Sequence, residues 1–161
     1  NSEGQPVLPA AMVGDIAAGS QAAFANVALA LFTRERSGKG ARIEVPMFNG
    51  LLAFLAEPLA HAGAGQTVRP GYSPATGSSP RYGLYRTADG RHLALASPED
   101  KFWTTFCERC DLPLDADRTA IETRLAQKTT EQWIEAFEGA DLCCSLVLSV
   151  EEALQSDRIK R

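Results

Sequence analysis

Between Ile16 and about Arg36 the chain carries one long Ala-rich segment, apolar on most faces until Phe32 and charged only at Arg34, Glu35 and Arg36. Its periodicity predicts a helix, and a helix that is apolar all round is a buried one. That single requirement excludes any fold in which this segment lies on the surface alone. Basic residues in the last turn and the Ser37-Gly38 stop mark its end. At its start stands Gly14-Asp15-Ile16-Ala17-Ala18-Gly19-Ser20. Asp at such a boundary acts as an N-cap, its carboxylate bonded to free backbone N–H groups. Those N–H groups and the helix dipole equally make a seat for an anionic ligand or a developing oxyanion. The residues alone leave both readings open. Gly14, Gly19 and Ser20 leave room for something large to approach the backbone.

A chain of 161 residues is expected to hold one domain, or one domain plus part of another. With 45% hydrophobic and 22% charged residues it can build a sizeable core. A net charge of −4 gives no electrostatic reason to expect nucleic acid or an anionic membrane as partner. The opening residues show no charged-then-apolar signal pattern. The most apolar run, Ala22 to Phe32, is too short to span a bilayer and is interrupted by Asn26. A soluble, cytoplasmic protein without a membrane partner is expected.

Cys107-Glu108-Arg109-Cys110 has the C-x-x-C spacing of zinc and redox sites. A zinc site needs two further ligands, and the adjacent Cys143-Cys144 pair lacks a usual ligand spacing. Cys107 and Cys110 also share a helical stripe with Phe102, Trp103 and Phe106. They read as core thiols, so no metal is expected. Gly38-Lys39-Gly40 is not a phosphate loop, because Thr33 stands where the first Gly belongs and the helix precedes it.

Residues 1–13, with Pro6 and Pro9, read as an entering loop. Ala41 to Val45 alternates as a short strand, and Pro46 suits the first position of a second apolar helix over about 47–62. Glu57-Pro58 should kink that helix. His61 near its end reads as a packed or exposed side chain without chemistry. From 63 to 81 the composition shifts to Gly and Pro, a linker or binding loop. Beyond it, Tyr82 to Arg86 and Arg91 to Ala96 form a hairpin about Asp89-Gly90. Helices follow from Pro98 to Cys110, from Asp115 to Lys128, and from a Thr129 or Thr130 cap to Phe137. A strand over Leu142–Val150 and a terminal helix with a Ser149/Glu152 capping box complete the chain.

Three stretches share the order of a known family. These are G-D-I-A-A-G-S with the following L-F-x-R-E-R-S-G-K-G-A-R-I-E-V-P-M-F; then Tyr85-Arg86-Thr87-Ala88-Asp89-Gly90 with Lys101-Phe102-Trp103; then Thr130-x-x-Trp133 through Asp141 to Leu154. Over about residues 12–155 the chain resembles the family III CoA-transferases, a superfamily that includes formyl-CoA and carnitine CoA-transferases and the α-methylacyl-CoA racemases. The resemblance implies an α/β fold: a central fragment with the long buried helix, strand and second helix of a large domain (1–62). A linker or lid loop (63–81) and a small α/β domain with a β-hairpin and several helices (82–161) follow.

The resemblance also implies chemistry. Asp15 falls at the catalytic aspartate, which in transferases forms an acyl anhydride and then an aspartyl-CoA thioester as CoA passes between carboxylic acids. Gly14 and Gly19 beside it, and Gly77, Ser78 and Ser79 of the lid loop, are implied in CoA binding or closure. Ser78 stands where family members are often Gly. In racemases the matching Asp works with an upstream His, and neither His61 nor His92 lies there. No permanently bound cofactor is implied; the acyl-CoA thioester is substrate, the acid its partner, and a homodimer the assembly. Alternatives are a racemase-like fragment, or a non-catalytic domain that binds acyl-CoA or a partner chain. A middle piece alone is expected to turn over little and to self-associate through its first two helices.

Overall fold

The computed structural model describes residues 8, 11–69, 71–157 and 159. Most of the entering loop expected over 1–13 lies outside them. By internal packing the chain divides into two units, Asn1–Pro70 and Gly71–Arg161.

The first unit is helical. Helix α1 runs Val13–Ser37, wound as a π-helix over Val13–Gln21 and as an α-helix over Ala22–Ser37. Gly38 ends it in the left-handed conformation (φ +70°), its N–H bonded to Arg34 O, which suits a residue without a Cβ. Helix α2, Met47–Leu52, starts directly after Pro46. A 3-10 turn over Ala53–Leu55 then leads to α3, Ala56–Gly63. The break sits where the Pro58 ring would crowd the carbonyl of Phe54 and cannot donate to it, so the kink falls as the sequence predicts.

Three expectations for this unit need correction. Residues 41–46 form no strand. The described residues contain one sheet, made elsewhere in the chain, so the alternating Ile43 and Val45 have no ladder to join. The long helix is not buried: Ala18 alone is covered, while Phe24 is 79% exposed and Leu29 65%. Among the described residues, α2 packs on the π-helical end of α1, and beyond it the 40–43 segment borders a groove along Val27, Ala30, Leu31 and Arg34 without burying them. The helix also exceeds the length read from the sequence. Its 25 residues, with a mean hydropathy of 1.4 over the most apolar 18, are long and apolar enough to cross a membrane by length and composition. The 13–21 stretch extends the apolar run read over Ala22 to Phe32; a layer of a larger fold meets the same description.

In the second unit, β1 (Tyr82–Arg86), β2 (His92–Ala96) and β3 (Cys144–Leu146) form an antiparallel sheet in that order. Tyr82 pairs with Ala96 and Arg86 with His92, while Leu93 faces Leu146 on the other side. The turn at Thr87–Gly90 closes through Gly90 N–H to Thr87 O (3.0 Å), with Gly90 at φ +79°. Helices α4 (Asp100–Cys110), α5 (Arg118–Leu125), α6 (Thr130–Phe137) and α7 (Val150–Gln155) complete the unit. The last two helices begin in capping boxes, Thr129 with Gln132 and Ser149 with Glu152. The core joins Tyr85, Leu93 and Leu95 of the sheet to Trp103, Phe106, Ile121, Leu125 and Trp133 of the helices. Each indole N–H is satisfied, Trp103 by Leu114 O (2.7 Å) and Trp133 by Leu125 O (2.9 Å), so the rings are buried without an unpaired donor.

Candidate active site

Asp15 lies inside the first turn of α1 rather than at its cap. Met12 holds the N-cap position, and Ile16 N–H closes the first turn on Met12 O at 2.9 Å. The capping role open to Asp15 from the sequence is therefore not the one it plays: the helix begins at Val13. Its side chain is exposed and, among the described residues, makes no hydrogen bond or ion pair. Its backbone carbonyl accepts the Ser20 hydroxyl at 2.9 Å, a bond spanning five residues that matches the wide π-helical winding. π-helical turns are rare and concentrate at functional sites.

The small residues around Asp15 divide into two roles. A Cβ placed on Gly14 would meet nothing within 4 Å, so the backbone beside Asp15 is open to a ligand. Gly19 is different. A Cβ there would lie 3.2 Å from Met47 Cγ and 3.3 Å from Gly14 O, so α2 fills the room expected for a ligand. The closest approach is at Gly50, where a Cβ would sit 2.7 Å from Ala18 O and 2.9 Å from Ala18 Cβ. Gly50 fixes the seat of the π-helical turn on α2. Sequence reading missed it, because nothing local to Met47–Leu52 signals which face meets a neighbour.

Gly77, Ser78 and Ser79 belong to the second unit, Gly14, Asp15 and Gly19 to the first. The Gly/Pro-rich stretch around them is a set of closed turns. Ser73, 2% exposed, forms a capping box with Thr76 over a 3-10 turn at Pro74–Thr76. Gly77 follows at φ +113°, a conformation that favours Gly, and Ser78 N–H returns to Ser73 O at 3.1 Å. Arg118 at the start of α5 then reaches across. Its Nη2 donates to Gly77 O (2.9 Å) and Ser79 O (3.0 Å), and its guanidinium carbon lies 5.3 Å from the Tyr85 ring centre. The Tyr85 hydroxyl donates to Pro80 O at 2.5 Å. An open groove of about 310 Å³ runs beside this loop, lined by Thr76, Gly77, Tyr82, Gly83, Leu84 and Arg118. Arg118, 41 residues from Gly77, gave no local sequence signal.

Asp89 is the other residue whose role the sequence understated. By its motif it marks the hairpin turn. Its carboxylate also accepts the Thr87 hydroxyl (2.5 Å), Thr130 N–H (3.0 Å) and the Thr130 hydroxyl (3.1 Å), tying the β1–β2 turn to the start of α6. These bonds, the Thr87 hydroxyl foremost, hold its pKa down at about 2.

Cys107 and Cys110 lie in the core as the stripe predicts, 1% and 0% exposed. Burial pushes their thiols up to about 11 and about 12, and that of Cys144 to about 12, away from the thiolate needed for redox or metal chemistry. Among the described residues, no three His, Cys, Asp or Glu side chains gather to hold a metal. His61 lies in the last turn of α3, bonded to Gln66, and His92 opens β2.

The chain thus joins a helix-borne exposed carboxylate to a separate unit of mixed helix and strand that carries an ordered glycine loop, and comparison with known proteins gives its class. The family model for CoA-transferase family III matches residues 1–161, and the chain belongs to that family. It is 30% identical to human α-methylacyl-CoA racemase over 174 residues, covering 96% of this chain and 44% of the relative. It is 24% identical to mouse succinyl-CoA:glutarate CoA-transferase, covering 98% of this chain and 39% of that enzyme. The crystal structure of the Rv3272 protein of Mycobacterium tuberculosis superposes with a TM-score of 0.76 at 20% identity, over 99% of this chain and 46% of that one. The last likeness establishes the fold. The chain thus spans less than half the length of the relatives it matches.

Proposed function

We propose that Asp15 is the nucleophile of a CoA-transferase that moves CoA between carboxylic acids. One observation carries the reading: an exposed carboxylate without an intramolecular partner among the described residues, in a π-helical turn left open at Gly14. An aspartate held in a cap or an ion pair would have to break those bonds before attacking. Asp15 has none to break.

The steps balance without an external proton donor. The Asp15 carboxylate attacks the acyl-CoA carbonyl; the new C–O bond forms as the C–S bond breaks, giving a mixed anhydride and CoA thiolate. The thiolate attacks the Asp15 carbonyl carbon, the donor acid leaves as carboxylate, and Asp15 becomes a CoA thioester. The acceptor carboxylate then attacks that thioester and releases the thiolate. Thiolate attack on the acceptor's acyl carbon forms the new acyl-CoA and returns Asp15 as carboxylate. Each addition builds negative charge on a carbonyl oxygen and requires nearby donors. In this reading the working assembly is a homodimer and the site is cytoplasmic.

A second reading is favoured by the 30% and 32% identity to the human and mouse racemases. There Asp15 is one of two proton-transfer groups flanking the α-carbon of a 2-methylacyl-CoA. Incubation with succinyl-CoA or acetyl-CoA, followed by hydroxylamine trapping and peptide mass spectrometry, separates the two. A hydroxamate at Asp15, absent in Asp15→Asn, is expected for the transferase. Deuterium entering the α-position of a 2-methylacyl-CoA in heavy water, without any hydroxamate, would replace it by the racemase. Transfer activity that survives Asp15→Ala in the protein carrying this chain would end the assignment of Asp15.

A further inference from the structure

We propose that the free edge of β1 is a docking site for another polypeptide, which joins the sheet as an extended antiparallel strand and sets an acidic side chain on Arg118. The inference is independent of the role of Asp15 and uses the second unit alone. The strands are ordered β1-β2-β3, so β1 is an outer strand. Ser97 N–H to Arg81 O (2.9 Å) and Thr87 N–H to Arg91 O (3.0 Å) close the two ends of its ladder with β2. Between them the register runs from Tyr82–Ala96 to Arg86–His92, so residues 83 and 85 turn their N–H and C=O groups inward to β2. Residues 82, 84 and 86 turn theirs outward. Tyr82 N–H goes to Ser79 O at 3.2 Å, while the backbone groups of Leu84 and Arg86 make no hydrogen bond among the described residues.

Sheet edges are commonly blunted by shortness, lysine, proline or a bulge. The β3 edge is blunted by its length of three residues. The five residues of β1 hold no lysine or proline, and Leu84 at their centre is 63% exposed. The groove of about 310 Å³ borders this edge at Tyr82, Gly83 and Leu84, and Arg118 is its one charged lining residue. Nη2 of Arg118 is occupied by two loop carbonyls, whereas Nη1 lies against Gly83, where a Cβ would stand 2.9 Å away. No ion pair among the described residues uses this guanidinium. A full positive charge without a carboxylate partner thus stands beside an unpaired strand edge, and its complement is an acidic segment. Pairing geometry fixes where the acid falls, because opposed side chains of an antiparallel pair share a face. An incoming residue opposite Leu84 exchanges both backbone bonds with it and covers its side chain. The next residue of the incoming strand lies opposite Gly83, on the face of Arg118. The edge therefore selects an apolar residue followed directly by an acidic one.

The probe is a peptide, Thr-Thr-Val-Glu-Thr, carrying fluorescein at its N-terminus and an amide at its C-terminus. Titrated with the full chain and followed by fluorescence anisotropy, it should bind, and amide exchange over residues 82–86 should slow while that of α6 keeps its rate. Replacing the peptide's Glu by Gln should weaken binding about tenfold, and Lys should weaken it further. On Arg118→Gln the Glu and Gln peptides should bind alike, which couples the two charges directly. N-methylation of the peptide's valine removes the donor to Leu84 O without touching the protein, and should abolish binding. Leu84→Pro removes the outward N–H at an edge position where proline is tolerated, and should do the same. Fluorescence of Trp103 and Trp133 reports that the variant unit is folded.

Absence of binding at millimolar peptide would overturn the proposal. Equal binding of the Glu, Gln and Lys peptides would remove Arg118 from the site and the acidic partner with it. Equal binding of the N-methylated peptide would show a pocket that takes side chains rather than an added strand. Slow exchange over 82–86 in the protein without peptide, quickening on dilution, would show a second copy of the chain on this edge in place of the proposed partner.

Discussion

Replacing Gly50 by Ala adds one methyl group where α2 meets the turn that holds Asp15. The added carbon would lie 2.7 Å from Ala18 O, 2.9 Å from Ala18 Cβ and 3.0 Å from Ala18 Cα. Two of these are backbone atoms, which cannot rotate aside as a long side chain can, so α2 must back away from α1. Overpacking of this kind costs about 1–3 kcal/mol, and the fixed backbone places Gly50 in the upper part of that range. Alanine's better helix propensity returns up to about 1 kcal/mol, leaving a net loss of roughly 1–2 kcal/mol. For a unit of this size that is a fall in Tm of roughly 5–15 °C.

The control is Gly63→Ala at the end of α3, the same chemical change at a position where a Cβ meets nothing within 4 Å. It should be neutral or raise stability by up to about 1 kcal/mol. Thermal melts followed by far-UV circular dichroism report the helices of the first unit along with those of the second. Fluorescence reports only the second, which contains both tryptophans, Trp103 and Trp133. The Gly50→Ala shift should be larger in the first signal than in the second. Equal melting of Gly50→Ala and Gly63→Ala would refute the close approach of α2 to Ala18, and with it the account of why small residues cluster after Asp15.

Two further outcomes follow from the second unit. Asp89 has a folded pKa of about 2 against an ordinary value of 3.8, so the unfolded chain binds the more protons between those values. Its contribution to stability is present above the ordinary value and is lost as pH falls through about 2. Urea melts between pH 5 and 2 should therefore decline less steeply for Asp89→Asn than for wild type, and parallel curves would refute the Thr87–Asp89–Thr130 knot. Among the cysteines, exposed Cys143 should alkylate rapidly with iodoacetamide in the folded protein, while buried Cys107 and Cys110 and high-pKa Cys144 react only on unfolding. Native alkylation of Cys110, or one equivalent of tightly bound zinc, would contradict their place in the core.

The sequence by itself determined whatever rests on neighbours a few residues apart. The Asp89-Gly90 hairpin, the Ser149/Glu152 capping box, the Gly38 stop and the Pro58 kink each depend on a backbone conformation or hydrogen bond closed within four residues, and each lies where its motif puts it. The family, too, was legible, because three short motifs kept their order along the chain. Tertiary structure decided what no short window contains. The 41–45 alternation makes no strand without a partner ladder, and most of the apolar α1 stays exposed because among the described residues α2 packs only on its π-helical end. Gly19 and Gly50 are small for each other's helix rather than for a ligand, and Arg118 holds a loop about forty residues away in sequence. Local hydrogen bonds carry their own signal in the residues that make them. Contacts between distant segments are fixed by which faces pack, and any single segment is compatible with many such arrangements.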